Sequence, residues 1–427
     1  MPNNAQLDIA WVRDQFPGLK SDWVFFDNAG GSQILNQAVE RIKQFLLEKN
    51  VQIGGSYEVS KAAAAALLEA RKAGQLLVNA SRPEEIVFGH STTVLMQNLV
   101  ESMRRQLAPG DEVIVTNADH ESNIGPWLRL EEFGIKVIFW QLDKDSLTLH
   151  LDDLGKLMNE RTRLVAVHHV SNILGEVNPV REIADYVHHR GARLCVDAVA
   201  YAPHRAIDVQ ELNVDYYIFS LYKTFGPHIA MMYGKYDHLL ELDTLYHYFY
   251  GKDKVPGKLE AGNPNYELAY SLTAITAYLQ ELGKRCGAPA SSAPRALIET
   301  AFAAIAAQEF ALTKRFLDWA KQHPDITIVG RDTVGNGNRI ATISFTAKGW
   351  APEALCRKID EYHVAIRHGD FHSRRLIEDL GLAEAGGVVR LSMVHYNTLE
   401  EVDRLTNALE ETLGQKASGT SPVKASA

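Results

Sequence analysis

The stretch Asp215–Pro227 reads DYYIFSLYKTFGP. Its run Tyr216–Ser220 is aromatic and β-branched, of strand length, and closed by a Gly-Pro turn. A run without polar alternation is the pattern of a strand buried on both faces, as in a parallel sheet covered by helices. Lys223 follows it directly. So close to a core, desolvation favours the neutral amine, the form that Schiff-base chemistry requires. A lysine that snorkels to solvent has the same local pattern, so the assignment needs partners elsewhere in the chain.

Outward from this stretch, strands are predicted at Glu85–Gly89, Glu112–Thr116, Lys136–Gln141, Arg163–His168, Arg193–Val199 and Ile229–Tyr233. Amphipathic helix patterns lie between several of them, such as Asn178–Arg190, with Val180, Ile183, Ala184 and Val187 at helical spacing. This alternation predicts an α/β fold with a mostly parallel seven-stranded sheet in a large domain over residues 23–285. The small-residue and proline stretch Gly287–Pro294 marks a boundary. Beyond it come a long helix pattern, Ala296–His323, strands at Ile326–Val329, Arg339–Phe345, Val364–Arg367 and Val388–Met393, and helices near Pro352–Glu361 and Leu399–Leu413. These predict a small α+β C-terminal domain over 286–414, with the N-terminal segment 1–22 packing on it and a disordered polar tail at 415–427.

Composition narrows the function. The 427 residues are 46% hydrophobic and 23% charged, with net charge −9 and pI ≈ 6.0. No global basic surface recruits nucleic acid or anionic lipid. No unbroken apolar run approaches the roughly 18 residues of a membrane span, and the N-terminus lacks the basic start and apolar stretch of a secretion signal. The three cysteines, Cys195, Cys286 and Cys356, form no CxxC pair, which excludes a disulfide scaffold and a cysteine-only metal site. A cytoplasmic enzyme is expected.

Two further segments carry chemistry. In Arg193–Val199, RLCVDAV, Asp197 interrupts an apolar strand. A buried carboxylate is costly without a cationic or strongly donating partner, and a protonated pyridine nitrogen is one such partner. In Gly89–Leu99, GHSTTVLMQNL, a hydroxyl-rich turn opens a helix and offers backbone N–H groups with Ser91, Thr92 and Thr93 to an anion. Neither GxGxxG nor GxxxxGK[ST] occurs, so dinucleotide and P-loop readings lose support. His368 and His372 flank Asp370, but Gly369 between them argues against a helix presenting both rings to a metal. The doublets His168-His169 and His188-His189 read as strand-end and helix-surface residues.

An anion-binding helix start, an acid in a strand and a buried lysine are together the anchors of a pyridoxal phosphate site. Their order and surroundings resemble the class V aminotransferase family, in its cysteine desulfurase-like branch. The resemblance rests on Phe26–Gly31 (FDNAGG), GHSTT, Asp119–Trp127 (DHESNIGPW), His169–Gly175 (HVSNILG), Val196–Val199 (VDAV), Ser220–Lys223 (SLYK), Glu260–Asn265 (EAGNPN), and Arg390 before Val394–Thr398 (VHYNT). It implies pyridoxal 5'-phosphate as cofactor, carried by Lys223 as a Schiff base, with Asp197 on the pyridinium nitrogen. It places Thr92, Thr93 and Ser220 near the phosphate, with His120 and Tyr222 also at the cofactor, and Asn172 at the ring hydroxyl or substrate carboxylate. It makes Arg390 the bidentate clamp of a small amino-acid substrate. It also implies a homodimer with shared active sites, the loop around Asn263 reaching the neighbouring subunit.

The departures from that branch bear on the reaction. His372 stands where a mobile-loop cysteine is expected, so it is a candidate acid–base residue. Glu121 stands at the position assigned to a histidine stacked on the cofactor, and Ala200 replaces a glutamine. The reading that follows is a lyase cleaving a C–S bond without a protein persulfide. The alternatives are a decarboxylative aldolase forming a C–C bond, a desulfurase with an external thiol acceptor, and, in another class, a non-catalytic cofactor-binding regulator.

Overall fold

The computed structural model describes residues 7–335 and 337–414; the tail expected to be disordered lies outside the described residues. The strands are β1 (Val24–Phe25), β2 (Ile86–Gly89), β3 (Glu112–Thr116), β4 (Lys136–Trp140), β5 (Thr162–His168), β6 (Arg193–Asp197), β7 (Tyr216–Ser220), β8 (Ala230–Gly234), β9 (Ile326–Val329), β10 (Thr342–Ala347), β11 (Val364–Ala365), β12 (Arg367–Gly369) and β13 (Val388–Ser392). Seven of them form one sheet in the order β2-β8-β7-β6-β5-β3-β4. It is parallel apart from β8, which runs antiparallel to both neighbours. Central strands such as β7 are buried at every residue, the consequence of helices covering both faces. The helix Val180–His189 buries the four apolar residues whose spacing predicts it.

A second, antiparallel sheet has the order β12-β13-β10-β9. The stretch expected as one strand, Val364–Arg367, divides because it changes partners: β11 pairs in parallel with β1, and β12 pairs with β13. The strand expected from Arg339 starts at Thr342 instead. Arg339 is buried and folds its guanidinium back onto the carbonyls of Arg331 and Thr342, while its backbone bridges to Glu176 beside the large sheet.

The N-terminal segment touches both units. Val12 and Phe16 belong to the core of the large sheet, and Phe16 packs 4.9 Å from Tyr396 between ring centroids. Arg13 pairs with Glu401 at 2.8 Å, and β1 joins the smaller sheet's flank. Helix Pro294–Ala320, 27 residues long, is apolar enough over an 18-residue window to match a membrane span by composition. Reading unbroken runs misses it, because charged residues are spaced along it. Its buried Glu309 accepts from His204 at 2.9 Å and Arg205 at 2.8 Å, and it packs along Leu272–Arg285, as a core helix does.

At the N-terminal edge of β7 sits Asp215, with no exposed surface. Its carboxylate accepts from His188 Nε2 at 2.7 Å and from the Leu194 N–H at 2.7 Å. Lys235 Nζ lies 3.1 Å away and His238 Nδ1 3.3 Å away. Burial alone would raise its pKa, but these partners outweigh burial and hold it well below the usual carboxylate range. Stability from this group is therefore present above the unfolded carboxylate pKa of about 4 and is lost as pH falls through the folded value. Asp215→Asn is expected to cost about 3 kcal/mol at pH 7, since it strands buried donors and cations. It should also flatten the acid limb of stability, checked by urea unfolding midpoints across pH.

Candidate active site

The C-terminal ends of the parallel strands face one cavity, the usual place for a ligand in an open α/β sheet. It contains about 600 Å³ of space free of protein atoms. The turn after β2 forms its anionic end. Ser91 caps helix Thr92–Arg104 by accepting from the Val94 N–H at 3.2 Å, and Ser91, Thr92 and Thr93 at this helix N-terminus line the cavity. Gly89 allows the tight strand-to-helix turn, because a Cβ there would come within 2.7 Å of Leu95. Thr92 Oγ1 lies 2.7 Å from Ser220 Oγ at the end of β7. Two hydroxyls from distant segments and a helix N-terminus thus converge, the donor set for a phosphate.

Asp197 ends β6 with its side chain in the cavity wall. Its Oδ1 accepts from the Val199 N–H at 2.9 Å, and among the described residues its Oδ2 has only Ser122 Oγ at 3.5 Å. Burial pushes its pKa up to about 6, so a cation placed against it would be strongly held. Lys223 follows β7, and among the described residues its Nζ makes no hydrogen bond or ion pair. Burial first, then repulsion from Arg390, lowers its pKa to about 8. A substantial fraction of it is then neutral under mildly alkaline conditions.

His120 lines the same cavity. Its Nδ1 accepts from the Ser122 N–H at 3.0 Å, which puts any ring proton on Nε2. Burial lowers its pKa to about 3, so the ring is neutral. Glu121, which sequence alone sets over the cofactor, is turned away and faces Arg375 at 3.3 Å. The two residues are consecutive where a 3-10 turn begins, where side chains diverge by about 120°; only one can enter the cavity, and it is the histidine.

The loop 369–373 covers the mouth. Phe371 and His372 both have left-handed backbone, φ 52° and 60°, a conformation that costs non-glycine residues energy and is held here by contacts. Asn172 Nδ2 donates to the Phe371 carbonyl at 3.0 Å, and Ser373 Oγ donates to Asn172 Oδ1 at 2.8 Å. The Glu121 N–H donates to the His372 carbonyl at 2.8 Å. The His372 ring lies 5.2 Å from that of His120. Phe371 lies over the Arg390 guanidinium at 3.7 Å. Arg390 is buried, donating to Asp27 at 3.2 Å and to the Asn172 carbonyl at 3.1 Å, while its Nε has no partner. Burial lowers its pKa to about 10, which leaves it charged at neutral pH.

The structure therefore brings Thr92, Thr93, His120, Asn172, Asp197, Ser220, Tyr222 and Lys223 to one cavity. Arg390 and His372 sit at its rim, and Asn263 stands apart on an exposed loop. Sequence reading missed Ser122 and His168, which also line the cavity. For His168 a signal existed: a histidine at the C-terminal end of a parallel strand, where ligands gather. Its neighbour His169 points to the other face, stacked on Tyr201 at 3.6 Å between centroids, as strand alternation requires.

A lysine, a buried carboxylate and an anion cradle at the strand ends of an open α/β sheet define a pyridoxal-phosphate enzyme. The residues fit that cofactor: among the described residues Asp197 has no ion-pair partner and Lys223 no hydrogen-bond or ion-pair partner, and the hydroxyl pair lines the cavity. The family model described as "Aminotransferase class-V" matches residues 24–405, and the chain belongs to that family. It is 41% identical to the aminotransferase-like protein FGM3 of Gibberella zeae, over 96% of this chain and 100% of that one. It is 31% identical to the cysteine desulfurase-like protein ustD of Aspergillus flavus, over 96% and 92%. Among solved structures, the apo cysteine desulfurase of Thermococcus onnurineus NA1 superposes with TM-score 0.84 and 26% identity, over 96% and 98% of the two chains.

Replacing Asn172 by alanine removes both ties between β5's outgoing loop and the mouth. Amide hydrogen exchange over residues 369–373 should then accelerate about thirtyfold, the two lost hydrogen bonds being worth roughly 1 kcal/mol each, while exchange in β5–β7 stays unchanged.

Proposed function

We propose that this enzyme acts at Cα or Cβ of a small amino acid, as a lyase that cleaves a C–S bond without storing sulfur on the protein. The observation that carries the second half is the placement of the thiols. Cys195, Cys286 and Cys356 are all buried, and none lines the cavity. Burial raises each of their pKa values, Cys356 to about 12, which suppresses the thiolate that a sulfur acceptor needs. The mouth position carries His372 instead.

Pyridoxal phosphate, when bound, supplies an electron sink for the bond that breaks. The chain's residues do the rest. Thr92, Thr93, Ser220 and the helix N-terminus bind the phosphate. Lys223 would hold the cofactor through Nζ, and its amine, when free, is the group that would take or return a proton at the substrate Cα. Asp197 would pair with a protonated ring nitrogen, and the neutral His120 ring would offer a flat surface to the cofactor. Arg390, freed from Phe371, binds the substrate carboxylate through its unpartnered Nε–H edge. Phe371 closes the mouth against water, and His372 exchanges a proton there. Residues 23–285 act as the cofactor-binding domain and 286–414 as the domain bearing Arg390 and the mouth loop, in a cytoplasmic setting.

One observation favours a second reading, a decarboxylative aldolase forming a C–C bond. Phe371 sits at the mouth of the cavity, and a carboxylate enclosed there away from water and from a cation would lose CO2 more readily. The discriminating experiment incubates the holoenzyme with cysteine and other small amino acids and follows sulfide, CO2 and pyruvate separately. Borohydride should fix the cofactor on Lys223, and Lys223→Ala should take no label. After cysteine turnover without reductant, intact mass should show no added sulfur. A sulfur on any of the three cysteines that chases into product overturns the reading, as does CO2 release without sulfide, which selects the aldolase.

The homodimer rests on a second set of facts. Tyr246, Tyr248 and Phe249 are 75%, 94% and 67% exposed, an aromatic patch of the kind that marks an interface. The nearby loop Ala261–Asn263 is exposed and projects from a rigid base. Lys258 is buried and donates to the carbonyls of Leu240, Leu242 and Lys252 at 3.1, 2.7 and 2.8 Å. Glu260 holds Arg71 at 2.6 and 2.9 Å and accepts from the Phe88 N–H at 2.8 Å. In a two-fold dimer this loop supplies Asn263 to the neighbouring phosphate. Mixing inactive Lys223→Ala with an inactive Asn263→Asp variant should then restore activity to about a quarter of wild type, since half the dimers are hybrids with one intact site of two. Subunit exchange without recovery places the loop outside the partner's site.

A further inference from the structure

β2 is the last strand of its sheet, and its outer edge has no strand neighbour among the described residues. Antiparallel pairing turns alternate residues toward β8 and leaves the backbone groups of the others facing outward. On that outer edge Arg71 Nη1 donates to the Ile86 carbonyl, and Glu260 Oε1 accepts from the Phe88 N–H at 2.8 Å. A carbonyl and the N–H two residues on are the groups that one residue of a parallel neighbouring strand would take. The two side chains also hold each other, Arg71 Nη1 to Glu260 Oε1 at 2.9 Å and Nη2 to Oε2 at 2.6 Å. Their side chains are 11% and 3% exposed. A buried bidentate pair thus stands where a strand would. Arg71 reaches the edge because its helix, Glu58–Val78, lies close on β2: a Cβ on Gly74 would come within 2.9 Å of the Ile86 side chain.

We propose that Arg71 and Glu260 are positioning residues for the cofactor phosphate: as a surrogate strand they fix the end of β2, and with it the turn whose hydroxyls and helix N-terminus form the anion cradle. That turn begins at Gly89, directly after Phe88. The helix that leaves it is tied to the same segment, since Asn98 Nδ2 donates to the Leu259 carbonyl at 3.2 Å. Leu259 and Glu260 hold the chain on both sides of the cradle, and the neighbouring Lys258 anchors them through three carbonyls. Neither Arg71 nor Glu260 lines the cavity, so both act through the backbone they hold. The other end of the cofactor site is built differently. Asp197 and Lys223 come from β6 and β7, each flanked by strands on both sides, and do not depend on this edge. Loss of the pair loosens the phosphate end and spares the ring and aldehyde end.

The inference rests on the reading of that turn as the phosphate site, and pyridoxal, which keeps the ring and aldehyde but has no phosphate, separates the two. The full chain, stripped of cofactor, is titrated with pyridoxal phosphate and with pyridoxal, following the visible absorption. The proteins compared are wild type, Arg71→Met, Glu260→Gln, the double variant Arg71→Met/Glu260→Gln, and Thr92→Val/Ser220→Ala. In Arg71→Met the half-saturating concentration of pyridoxal phosphate should rise about tenfold, the scale of one charge-assisted hydrogen bond, and that of pyridoxal by less than about twofold. Glu260→Gln keeps an acceptor for the Phe88 N–H, so its loss should be smaller; it stands in if Arg71→Met does not fold by circular dichroism. The double variant should lose less than the product of the single losses, because the two residues act as one unit. Amide exchange over residues 86–92 should quicken in the folded variants and stay unchanged in β6 and β7. Equal losses for the two aldehydes overturn the proposal, since a merely structural pair would weaken both, and an unchanged affinity for pyridoxal phosphate overturns it too. If Thr92→Val/Ser220→Ala leaves the preference for the phosphorylated aldehyde intact, the phosphate reading of the turn fails first and takes the inference with it.

Discussion

A carboxylate buried at the end of a strand, with no ion-pair partner among the described residues, is the constraint around which this molecule is arranged. Asp197 sits where the sheet opens, among groups that are mostly neutral or reluctant to charge: His120 is neutral, Ser122 is distant for a hydrogen bond, and Lys223 is itself pushed toward neutrality. Each buried group is unfavourable alone, and a ligand bringing a positive ring nitrogen to one, a carbonyl carbon to another and an anion to the hydroxyl pair would stabilise them jointly. The chain thus keeps a polar void at the end of a sheet whose central strands are mostly apolar and buried, and the void has the chemical complement of one cofactor.

The rim obeys a different logic. Asp27, Arg390, Asn172 and Phe371 come from four separate parts of the chain, and each occupies another's binding capacity: the carboxylate and a carbonyl take the guanidinium, the ring covers it, and the amide holds the loop carrying the ring. Any carboxylate ligand approaching Arg390 would compete with protein groups rather than with bulk water. Selectivity follows, because only a ligand offering more than one hydrogen bond displaces such an arrangement at little cost.

The layout of the main sheet was legible because each of its strands is a short, near-continuous apolar run, and Lys223 and Asp197 were legible because a charge interrupting or ending such a run is conspicuous. Within irregular turns that contrast vanishes. His120 and Glu121 are neighbours of similar polarity, and only the helical sense of a three-residue turn decides which one enters the cavity. His168 and His169 differ in role through strand alternation at a sheet edge where the apolar pattern has already ended. The seat of Arg390 under Phe371 depends on the 369–373 loop meeting β13 and the β5 exit, and no local pattern encodes a meeting of segments so far apart. The split of the Val364–Arg367 stretch was hidden for the same reason, since the partner strand of its first half lies near the N-terminus.

The antiparallel strand β8 has a consequence for the order in which the molecule can come into being. β2, whose end carries the anion cradle, borders only β8 within the sheet, and Ser220 completes the cradle from β7. As the chain leaves the ribosome, β3 to β7 can find their neighbours successively, but β2 has no place to dock until residues 230–234 have emerged between it and β7. The oldest strand of the sheet is therefore the last to be seated. A nascent chain stalled short of residue 230 holds the lysine and the aspartate and still has nowhere to put a phosphate.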